Sequence, residues 1–469
     1  MMKRLAHPAR NAGISLAVAL AAMTPPLQAE TLTVCAEGGC DYATIQAAID
    51  AASNGDVIEV AAGTYLVDET IDTIGKSVRI HGAVDPGTGA LLTLLDGQEE
   101  RRVLQCISGE DSDTILKSLV IQNGLMDSGS GFGAGGGMAI TGSAPTLVDC
   151  EFRDNHARDK GGAIHLERSE ATLTVCRFSG NSSSSIGGAL HLEDSTLILS
   201  DCTFTGNSSF SNGGAIYHRE GSSSLSNCTF TNNSASGWGG GVYCVEGSLA
   251  LDGCTFSENF AQIYGGGLLS AYSSTTAQDC VFSRNSADER GGGLCSYLST
   301  DTLTDCTFTD NTALYTGGGA FHFQGAGPTF TRCEFTGNTA GSGGGLYNWG
   351  SAPVISESIF QDNTGGGIIS DVDSVPRLTD TRVCGNTAEQ ITGAYTDNGG
   401  NCISEECLDC DTCPGDLEGD GDVGGADLTI LLNQWGCTGE DCTADLDGNG
   451  TVDGADLTII LSNWGACSN

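Results

Sequence analysis

A unit of about 26 residues repeats along the middle of the chain, and this period restricts the possible folds more than any other feature. In nine copies a phenylalanine stands two residues after a marker position and an asparagine five residues after it. The marker continues at Cys333, changes to Ser358, and is predicted to regain its phase at Cys384. The earlier markers are seven cysteines spaced 26 residues apart: Cys150, Cys176, Cys202, Cys228, Cys254, Cys280 and Cys306.

A repeat of this length is typical of a solenoid, in which each unit buries its apolar side only against its neighbours. Helical solenoid repeats run to roughly 33 residues or more, and the glycine pairs of these copies disfavour helix. The sequence therefore predicts a parallel β-helix with about three short strands per coil and like residues stacked about 4.8 Å apart. We expect the cysteine and phenylalanine columns to face inward. The asparagine column is expected at a corner, where asparagine tolerates the left-handed conformation and can hydrogen-bond the backbone of its own column.

An amphipathic segment precedes the first strands. Ile45, Ala48, Ile49 and Ala52 lie on one helical face, and the apolar stretch 57–60 follows as a strand. This order resembles the start of pectin-lyase-like right-handed β-helices, in which a helix caps the open end of the coil. The resemblance implies an all-β, right-handed parallel β-helix solenoid with an N-terminal capping helix.

The repeated pair of motifs, Gly161-Gly162-Ala163-Ile164 and Phe-x-x-Asn, recurs over about 235 residues. It resembles the repeats of chlamydial polymorphic outer membrane proteins, which are surface β-helices linked to adhesion. The resemblance implies a surface β-helix and, for function, adhesion.

The N-terminus and the charge balance predict an exported protein. Basic residues followed by a short apolar core make 1–29 a secretory signal peptide, and we find no other membrane-span candidate. The chain has 59 acidic and 19 basic residues, for a net charge of −40. Such a charge argues against a nucleic-acid partner and suits a protein that meets calcium. The predicted location is secreted, extracellular or at the cell surface.

Four segments are predicted: the signal peptide 1–29, the β-helix 30–401 with regular coils over about 144–390, a cysteine-rich linker 402–413, and a C-terminal domain 414–469. Cys35 and Cys40 are expected to form a local disulfide. In the linker, disulfides are favoured over a zinc site because the chain is exported. Sequence alone leaves open whether the cysteine column holds free thiols or disulfides between coils. The linker cysteines are Cys402, Cys407, Cys410 and Cys413.

The C-terminal domain contains two loops with oxygen-bearing side chains at positions 1, 3, 5 and 12, glycine at position 6 and a backbone carbonyl available at position 7, which is how an EF-hand loop holds calcium. An apolar segment that ends at Trp-Gly follows each loop. This duplicated pattern resembles a type I dockerin, and the resemblance implies a small α-helical domain, two Ca²⁺ ions and a cohesin-like or other docking partner. The predicted ligands are Asp416, Glu418, Asp420, Asp422 and Asp427 in the first loop, and Asp445, Asp447, Asn449, Thr451 and Asp456 in the second.

Two sets of residues in the coils are candidate sites. A stripe of histidine and aromatic residues follows the Gly-Gly-x-aliphatic motif, and strand alternation predicts that it faces outward, where it could stack sugar rings; the alternative places it inside. Asp279 and Asp305 fall on adjacent coils and are weak candidates for a pair of catalytic carboxylates; the alternative is a solvated acidic face. The stripe contains His165, His191, Tyr217, Tyr243, Phe321 and Tyr347.

Two functions follow from these features. The first is a secreted or cell-surface β-helix that binds polysaccharide or a surface partner and is docked through a calcium-dependent dockerin. The second is a polysaccharide lyase or glycoside hydrolase built on the same coil, because dockerins commonly accompany carbohydrate-active enzymes. The absence of a conspicuous acid, base and arginine cluster favours the first function, and the catalytic residues remain unknown.

Overall fold

The computed structural model describes residues 29–127, 133–325, 327–407, 415–418, 422–439 and 442–466. The predicted signal peptide lies outside these ranges except for Ala29. The described residues between 30 and 407 form a parallel β-solenoid whose coils contribute strands to four stacks, here called the first to fourth ladders in their order along one coil. Within the described ranges, no helix combines the length and the apolarity needed to cross a membrane.

The first and second ladders form one sheet, joined where two long strands, Leu190–Ser200 and Ile216–Ser226, run through both. The other strands of the first ladder are Ile71–Asp72, Leu104–Cys106, Met138–Thr141, Ile164–Glu167, Val242–Val245, Leu268–Ala271, Leu294–Tyr297, Ala320–Phe323, Leu346–Trp349, Ile368–Ser370 and Ile391–Thr392. Those of the second ladder are Thr31–Val34, Val57–Val60, Arg79–Gly82, Ile115–Lys117, Thr146–Val148, Glu170–Thr174, Ser248–Asp252, Ser274–Gln278, Thr302–Thr304, Thr329–Thr331, Val354–Ser356, Arg377–Thr379 and Thr396–Asp397.

The third and fourth ladders close each coil on the other side. The third ladder contains Gly63–Leu66, Thr93–Asp96, Val120–Gln122, Glu151–Arg153, Arg177–Ser179, Thr203–Thr205, Thr229–Thr231, Thr255–Ser257, Val281–Ser283, Thr307–Thr309, Glu334–Thr336, Ile359–Gln361, Arg382–Cys384 and Cys402–Ser404. The fourth contains Leu125–Met126, His156–Ala157, Ser182–Ser183, Ser208–Ser209, Ser234–Ala235, Phe260–Ala261, Ser286–Ala287 and Thr312–Ala313.

The phenylalanine column forms the centre of the interior, as the period predicts. Phe204 pairs in register with Phe230, and their ring centroids are 4.8 Å apart with planes tilted by 6°. The cysteine column is also fully buried, and the cysteines from Cys150 to Cys333 in this column carry free thiols. The structure thus decides between the two alternatives for these cysteines: thiols that face the interior, with no disulfides between coils.

The asparagine column is a buried ladder that hydrogen-bonds its own column's backbone at a corner, as predicted, but the asparagines themselves do not adopt the left-handed conformation. Asn285 Oδ1 accepts hydrogen bonds from both the backbone nitrogen and Nδ2 of Asn259, at 3.1 and 2.9 Å. The left-handed residue is the one before each asparagine, such as Glu258 with φ 57°. The asparagine side chain points inward, and its amide hydrogen-bonds the backbone at the corner. The residue before it therefore adopts the left-handed conformation that turns the chain.

Two details near the end of the solenoid correct the sequence interpretation. Cys384 does not restore the repeat, because it pairs with Gln361 on the outer side of the third ladder and forms a disulfide with Cys407. Thr381 takes the marker position instead, since the last coils are shorter. The β-helix also continues past 401, because Cys402–Ser404 adds a strand in what was predicted to be linker. Cys410 and Cys413 lie outside the described residues.

At the other end, helix α1 (Ile45–Ala51) caps the first coil, as predicted. Thr44 accepts a hydrogen bond from the backbone nitrogen of Ala47, which is an N-cap interaction that starts the helix. Ile45, Ala48 and Ile49 are buried against the core and cover the end of the coil. The local disulfide between Cys35 and Cys40 is present.

The described part of the C-terminal domain contains two helices, α2 (Gly425–Asn433) and α3 (Gly454–Ser462). The strands Asp422–Val423 and Gly465–Ala466 pair antiparallel, so the segment before α2 meets the segment after α3. Val423, Leu431, Val452 and Ile460 form the centre of a small core. The disulfide between Cys437 and Cys442 closes a short loop between the helices, and Cys467 lies outside the described residues.

One inward column of the first ladder is polar. His218, Cys244, Ser270, Ser296, His322 and Asn348 occupy successive coils inside the solenoid. Asp301 is buried beside them and accepts hydrogen bonds from Ser270 and Ser296. Both ring nitrogens of His322 lack a hydrogen-bond partner among the described residues. Burial lowers the pKa of His322 to about 3, so its imidazole is neutral at pH 7.

This column is expected to make the solenoid sensitive to acid. The folded-state pKa of His322 lies below the ordinary value, so the unfolded chain binds the proton first and stability falls as the pH drops below about 6.5. His322→Asn is expected to reduce the loss of unfolding free energy between pH 7 and pH 4.5 by roughly 2–3 kcal/mol. Urea unfolding at both pH values measures this difference. His81→Asn, at the surface beside Glu59, is the control; an unchanged pH dependence in His322→Asn would contradict the expectation.

Candidate functional site

Three adjacent columns make up the outer side of the first ladder, and we call them together the outer face. The corner column, just before the glycine pair, is Lys160, Ile186, Asn212, Trp238, Tyr264, Arg290, Thr316 and Ser342. The inner column is His165, His191, Tyr217, Tyr243, Leu269, Cys295, Phe321 and Tyr347. The rim column is Glu167, Glu193, Arg219, Val245, Ala271, Tyr297, Phe323 and Trp349.

The predicted histidine and aromatic stripe is the inner column, and it points away from the main core. Ile164 and its equivalents belong to the central core, whereas Tyr243 and Phe321 belong to a separate apolar cluster. The stripe is largely covered, because the exposed fractions of His191, Tyr243 and Phe321 are 1%, 5% and 2%. The stripe therefore supports the outer face from below, and contact with a ligand falls mainly to the other two columns.

Aromatic rings dominate the C-terminal half of the outer face. Along the rim column, the ring centroids of Tyr297 and Phe323 are 4.9 Å apart, and those of Phe323 and Trp349 are 5.4 Å apart. In the corner column, Trp238 and Tyr264 stack with nearly parallel planes, 6.3 Å between centroids. Trp349 is 40% exposed and Trp238 37%. The coil spacing thus lines up a row of amphipathic rings parallel to the solenoid axis.

Charged and titratable groups dominate the N-terminal half of the same face. Lys160 Nζ lies 2.6 Å from a carboxylate oxygen of Glu193. The Nδ1 atoms of His165 and His191 are 3.1 Å apart, so one of them donates a hydrogen bond to the other. Tyr217 stacks on His191, with 5.2 Å between ring centroids. The coils therefore bring together acid, base and cationic groups that did not form a conspicuous cluster in the sequence.

The electrostatics of this cluster keep its imidazoles neutral. Burial, with the nearby positive charges of Lys160 and Arg102, lowers the pKa of His165 to about 4. Burial and the neighbouring His165 lower the pKa of His191 well below its ordinary value. The Lys160 ammonium holds the pKa of Glu193 low, so this carboxylate is ionised at neutral pH. A neutral imidazole next to an ionised Lys–Glu pair can accept a proton.

Asp279 and Asp305 lie at a turn between the second and third ladders, away from this cluster in the coil. Both have left-handed backbone angles, with φ of 51° and 53°. A bidentate ion pair links Asp305 to Arg332, at 2.7 and 2.8 Å, and lowers the pKa of the carboxylate. Short polar side chains tolerate this conformation, which accounts for the aspartates at this position without catalysis.

The second calcium-type loop brings its predicted carboxylates together. Ligand atoms of Asp445, Asp447 and Asp456 lie within 4.8 Å of one another. Asp445 Oδ1 is buried without a hydrogen-bond partner among the described residues. Asn449 Oδ1 accepts a hydrogen bond from the backbone nitrogen of Thr451, so the loop turns at these residues. Three carboxylates this close repel one another, and a hard divalent cation fits this donor set.

The last predicted ligand of each loop is held in the same way. Burial opposes ionisation of Asp456, but hydrogen bonds from the backbone nitrogens of Asp453, Asp447 and Leu446 outweigh it and lower the pKa. Asp427 accepts equivalent hydrogen bonds from Leu417 and Gly424 in the first loop. Of the other predicted ligands of that loop, Asp416, Glu418 and Asp422 are described, and Asp420 lies outside the described residues.

The two helices of this domain share an exposed apolar pattern. Leu432 and Trp435 at the end of α2 are 54% and 49% exposed, and Leu461 and Trp464 at the end of α3 are 57% and 51% exposed. The spacing along the chain between the two Leu–Trp pairs equals the spacing between the two loops. The domain thus presents two similar apolar patches to solvent.

Comparison with known proteins identifies the coil. Residues 105–261 and 266–408 match a family model described as a right handed beta helix region. No match was found among curated proteins.

Solved structures show only a distant likeness. The catalytic domain of GH87 alpha-1,3-glucanase in complex with nigerose is 12% identical, over 81% of this chain and 70% of that chain, with a TM-score of 0.45. PfbA, a surface adhesin of Streptococcus pneumoniae, is 11% identical over 77% and 88%, with a TM-score of 0.36. The tailspike protein of E. coli bacteriophage HK620 in complex with pentasaccharide is 13% identical over 77% and 75%, with a TM-score of 0.36.

Proposed function

The chain belongs to the right-handed β-helix family, and on that premise we propose that it binds polysaccharide along the outer face of the first ladder. In this proposal the protein is secreted or displayed at the cell surface, and residues 414–469 attach it to a docking partner through two calcium loops. The row formed by Tyr297, Phe323 and Trp349 carries the proposal, because partly exposed rings at regular spacing offer successive stacking positions to a linear polymer.

Disulfides support the proposed location outside the cytoplasm. Disulfides join Cys35 to Cys40, Cys384 to Cys407, and Cys437 to Cys442, and such bonds persist in oxidising compartments. The apolar N-terminal stretch within 1–29 is consistent with export.

The double variant Phe323→Ala with Trp349→Ala tests the binding face. Removing two stacking rings is expected to weaken polysaccharide binding at least about tenfold. Affinity electrophoresis against a panel of neutral, carboxylated and sulfated polysaccharides identifies the ligands of the natural chain, and calorimetry then measures both proteins against the best of them.

Val354→Ala is the matched control, because Val354 lies on the same coil, on the second ladder, and is 40% exposed like Trp349. Its affinity is expected to equal that of the natural chain. The proposal is wrong if the natural chain binds none of the panel, or if the double variant binds as tightly as the control.

The charged half of the outer face supports a second function, cleavage of the bound polysaccharide by a lyase or a glycoside hydrolase. A neutral imidazole at His165, the ion pair between Lys160 and Glu193, and the phenol of Tyr217 offer groups for proton transfer on the same face as the binding row, in its N-terminal half. The catalytic residues would then lie here, and not at Asp279 and Asp305.

Incubation with the polysaccharide that binds best tests this second function. Release of unsaturated or reducing ends that His165→Gln lowers at least about 100-fold would support it. If the chain binds the polysaccharide but releases no new ends, the second function is wrong and the proposed binding stands.

For the C-terminal domain, we infer two Ca²⁺ sites and a type I dockerin-like role. The support is the cluster of Asp445, Asp447 and Asp456 with its unpartnered oxygen, and the equivalent anchoring of Asp427 in the first loop. The exposed apolar patches at Trp435 and Trp464 offer a surface to a cohesin-like module.

A further inference from the structure

Arg290 interrupts the aromatic half of the outer face with a cation. It follows Trp238 and Tyr264 in the corner column, and the small residues Thr316 and Ser342 come after it. The side chains of the corner column therefore become smaller after Arg290. The guanidinium of Arg290 reaches the ring of Trp349, which lies two coils further along the rim column.

Three rings surround the guanidinium. Its central carbon lies 5.1 Å from the ring centroid of Trp349, 5.2 Å from that of Phe321 and 5.8 Å from that of Tyr264. Aromatic faces attract a cation, but they accept few of the five hydrogen bonds that a guanidinium can donate. The rings thus fix the position of Arg290 and leave its donors available.

The described residues make no hydrogen bond with the Arg290 side chain. Among the described residues, no carboxylate oxygen lies within 4.0 Å of the Arg290 nitrogens. Arg290 Nε and Thr316 Oγ1 are both buried without a hydrogen-bond partner in the described part of the chain. The neighbouring carboxylate of Glu289 interacts with Tyr264. By contrast, Lys160 in the same column is bonded to Glu193.

We propose that Arg290 and Thr316 form an oxyanion subsite that selects a sugar bearing a carboxylate or a sulfate, with the sugar ring stacked on Trp349. The inference rests on the proposed polysaccharide binding along the outer face and names the class of ligand. A planar guanidinium presents two parallel N–H groups to two oxygens of such an anion. The Thr316 hydroxyl adds a further donor, and partial exclusion of water by the rings strengthens these hydrogen bonds.

Two matched pairs of polymers test the subsite on the full chain. Polygalacturonate is compared with its fully methyl-esterified form, and dextran sulfate with dextran, so each pair differs in the anionic group. The natural chain is expected to prefer the charged member of at least one pair, and the pair that responds shows whether carboxylate or sulfate is the ligand. Arg290→Gln is expected to weaken binding of that charged polymer about 10-fold to 100-fold.

Two further variants separate this role from simple packing. Arg290→Lys keeps the positive charge but loses the parallel N–H groups of the guanidinium. Its affinity is expected to fall between those of the natural chain and Arg290→Gln. Arg284→Gln removes an exposed cation next to Glu258 on the third ladder and is expected to bind like the natural chain.

Three outcomes overturn the inference. If Arg290→Gln binds the charged polymer normally while Trp349→Ala binds it poorly, the outer face binds glycan but the oxyanion subsite does not exist. If Arg290→Gln weakens the uncharged polymer equally, Arg290 acts through packing. If the natural chain binds none of the four polymers, the proposed polysaccharide binding fails and the subsite fails with it.

Discussion

Asp456→Ala is expected to abolish calcium binding at the second loop and to lower the calcium stoichiometry of the full chain from two to one. Asp456 is fully buried, and its two oxygens hold the backbone nitrogens of Leu446 and Asp453 while they face Asp445 and Asp447. Removing this carboxylate deletes a ligand and releases the loop that positions the others. The expected loss in affinity at this site is at least about 100-fold, measured by calorimetry with Ca²⁺.

Asp279→Asn is the control. It also removes one carboxylate, but Asp279 is exposed at a turn of the solenoid, outside both loops, and asparagine tolerates its left-handed backbone as aspartate does. Two calcium ions should bind to this variant with near-natural affinity. Two ions bound to Asp456→Ala, or no calcium bound to the natural chain, would contradict the assignment of these loops.

Asn285→Ala is expected to lower the free energy of unfolding of the solenoid by about 3–5 kcal/mol. Asn285 Oδ1 accepts from two nitrogens of Asn259, and Asn285 Nδ2 donates to the carbonyl oxygen of Phe256 at 2.9 Å. The substitution removes three buried hydrogen bonds, and only Asn259 Nδ2 keeps another partner, the carbonyl oxygen of Phe230; each buried group left without one costs about 1–3 kcal/mol. Chemical unfolding followed by far-UV circular dichroism measures the change.

Gln262→Ala controls for substitution on a neighbouring corner, because Gln262 is exposed and its side chain makes no hydrogen bond among the described residues. Its effect is expected within about 0.5 kcal/mol of zero. A loss below about 1 kcal/mol in Asn285→Ala would show that the asparagine ladder does not hold the corners together.

The sequence predicted the coil because its signal repeats. Each copy of the cysteine and phenylalanine columns reports the same inward direction, so stacking such as that of Phe204 on Phe230 follows from the period alone. Where the signal occurs once, prediction failed. Cys384 looked like a marker because it lay near the expected distance, but the shorter last coils place Thr381 there, and the disulfide to Cys407 extends the solenoid past 401.

The candidate site was predictable only in part. Alternation along a strand gave the outward direction of the histidine and aromatic stripe, but it could not show that the corner column covers it. Lys160 and Glu193 are 33 residues apart, and Arg290 and Trp349 lie on different coils, so their contacts depend on side-chain reach across coils. Rows of one coil each place Arg290 two rows before Trp349, so the sequence carries the spacing of this pair but not the reach of the side chains that join it.

Hydroxyl-radical footprinting of the full chain, with and without the polysaccharide that binds best, tests most directly whether the outer face is the binding surface. Trp349, Tyr297 and Trp238 are expected to lose oxidation together when the polymer is bound, because they line one face along the axis. Trp435, which is 49% exposed in the C-terminal domain, is expected to be oxidised equally in both samples. Unchanged oxidation of Trp349 and Tyr297 under saturating polymer would contradict binding at this face.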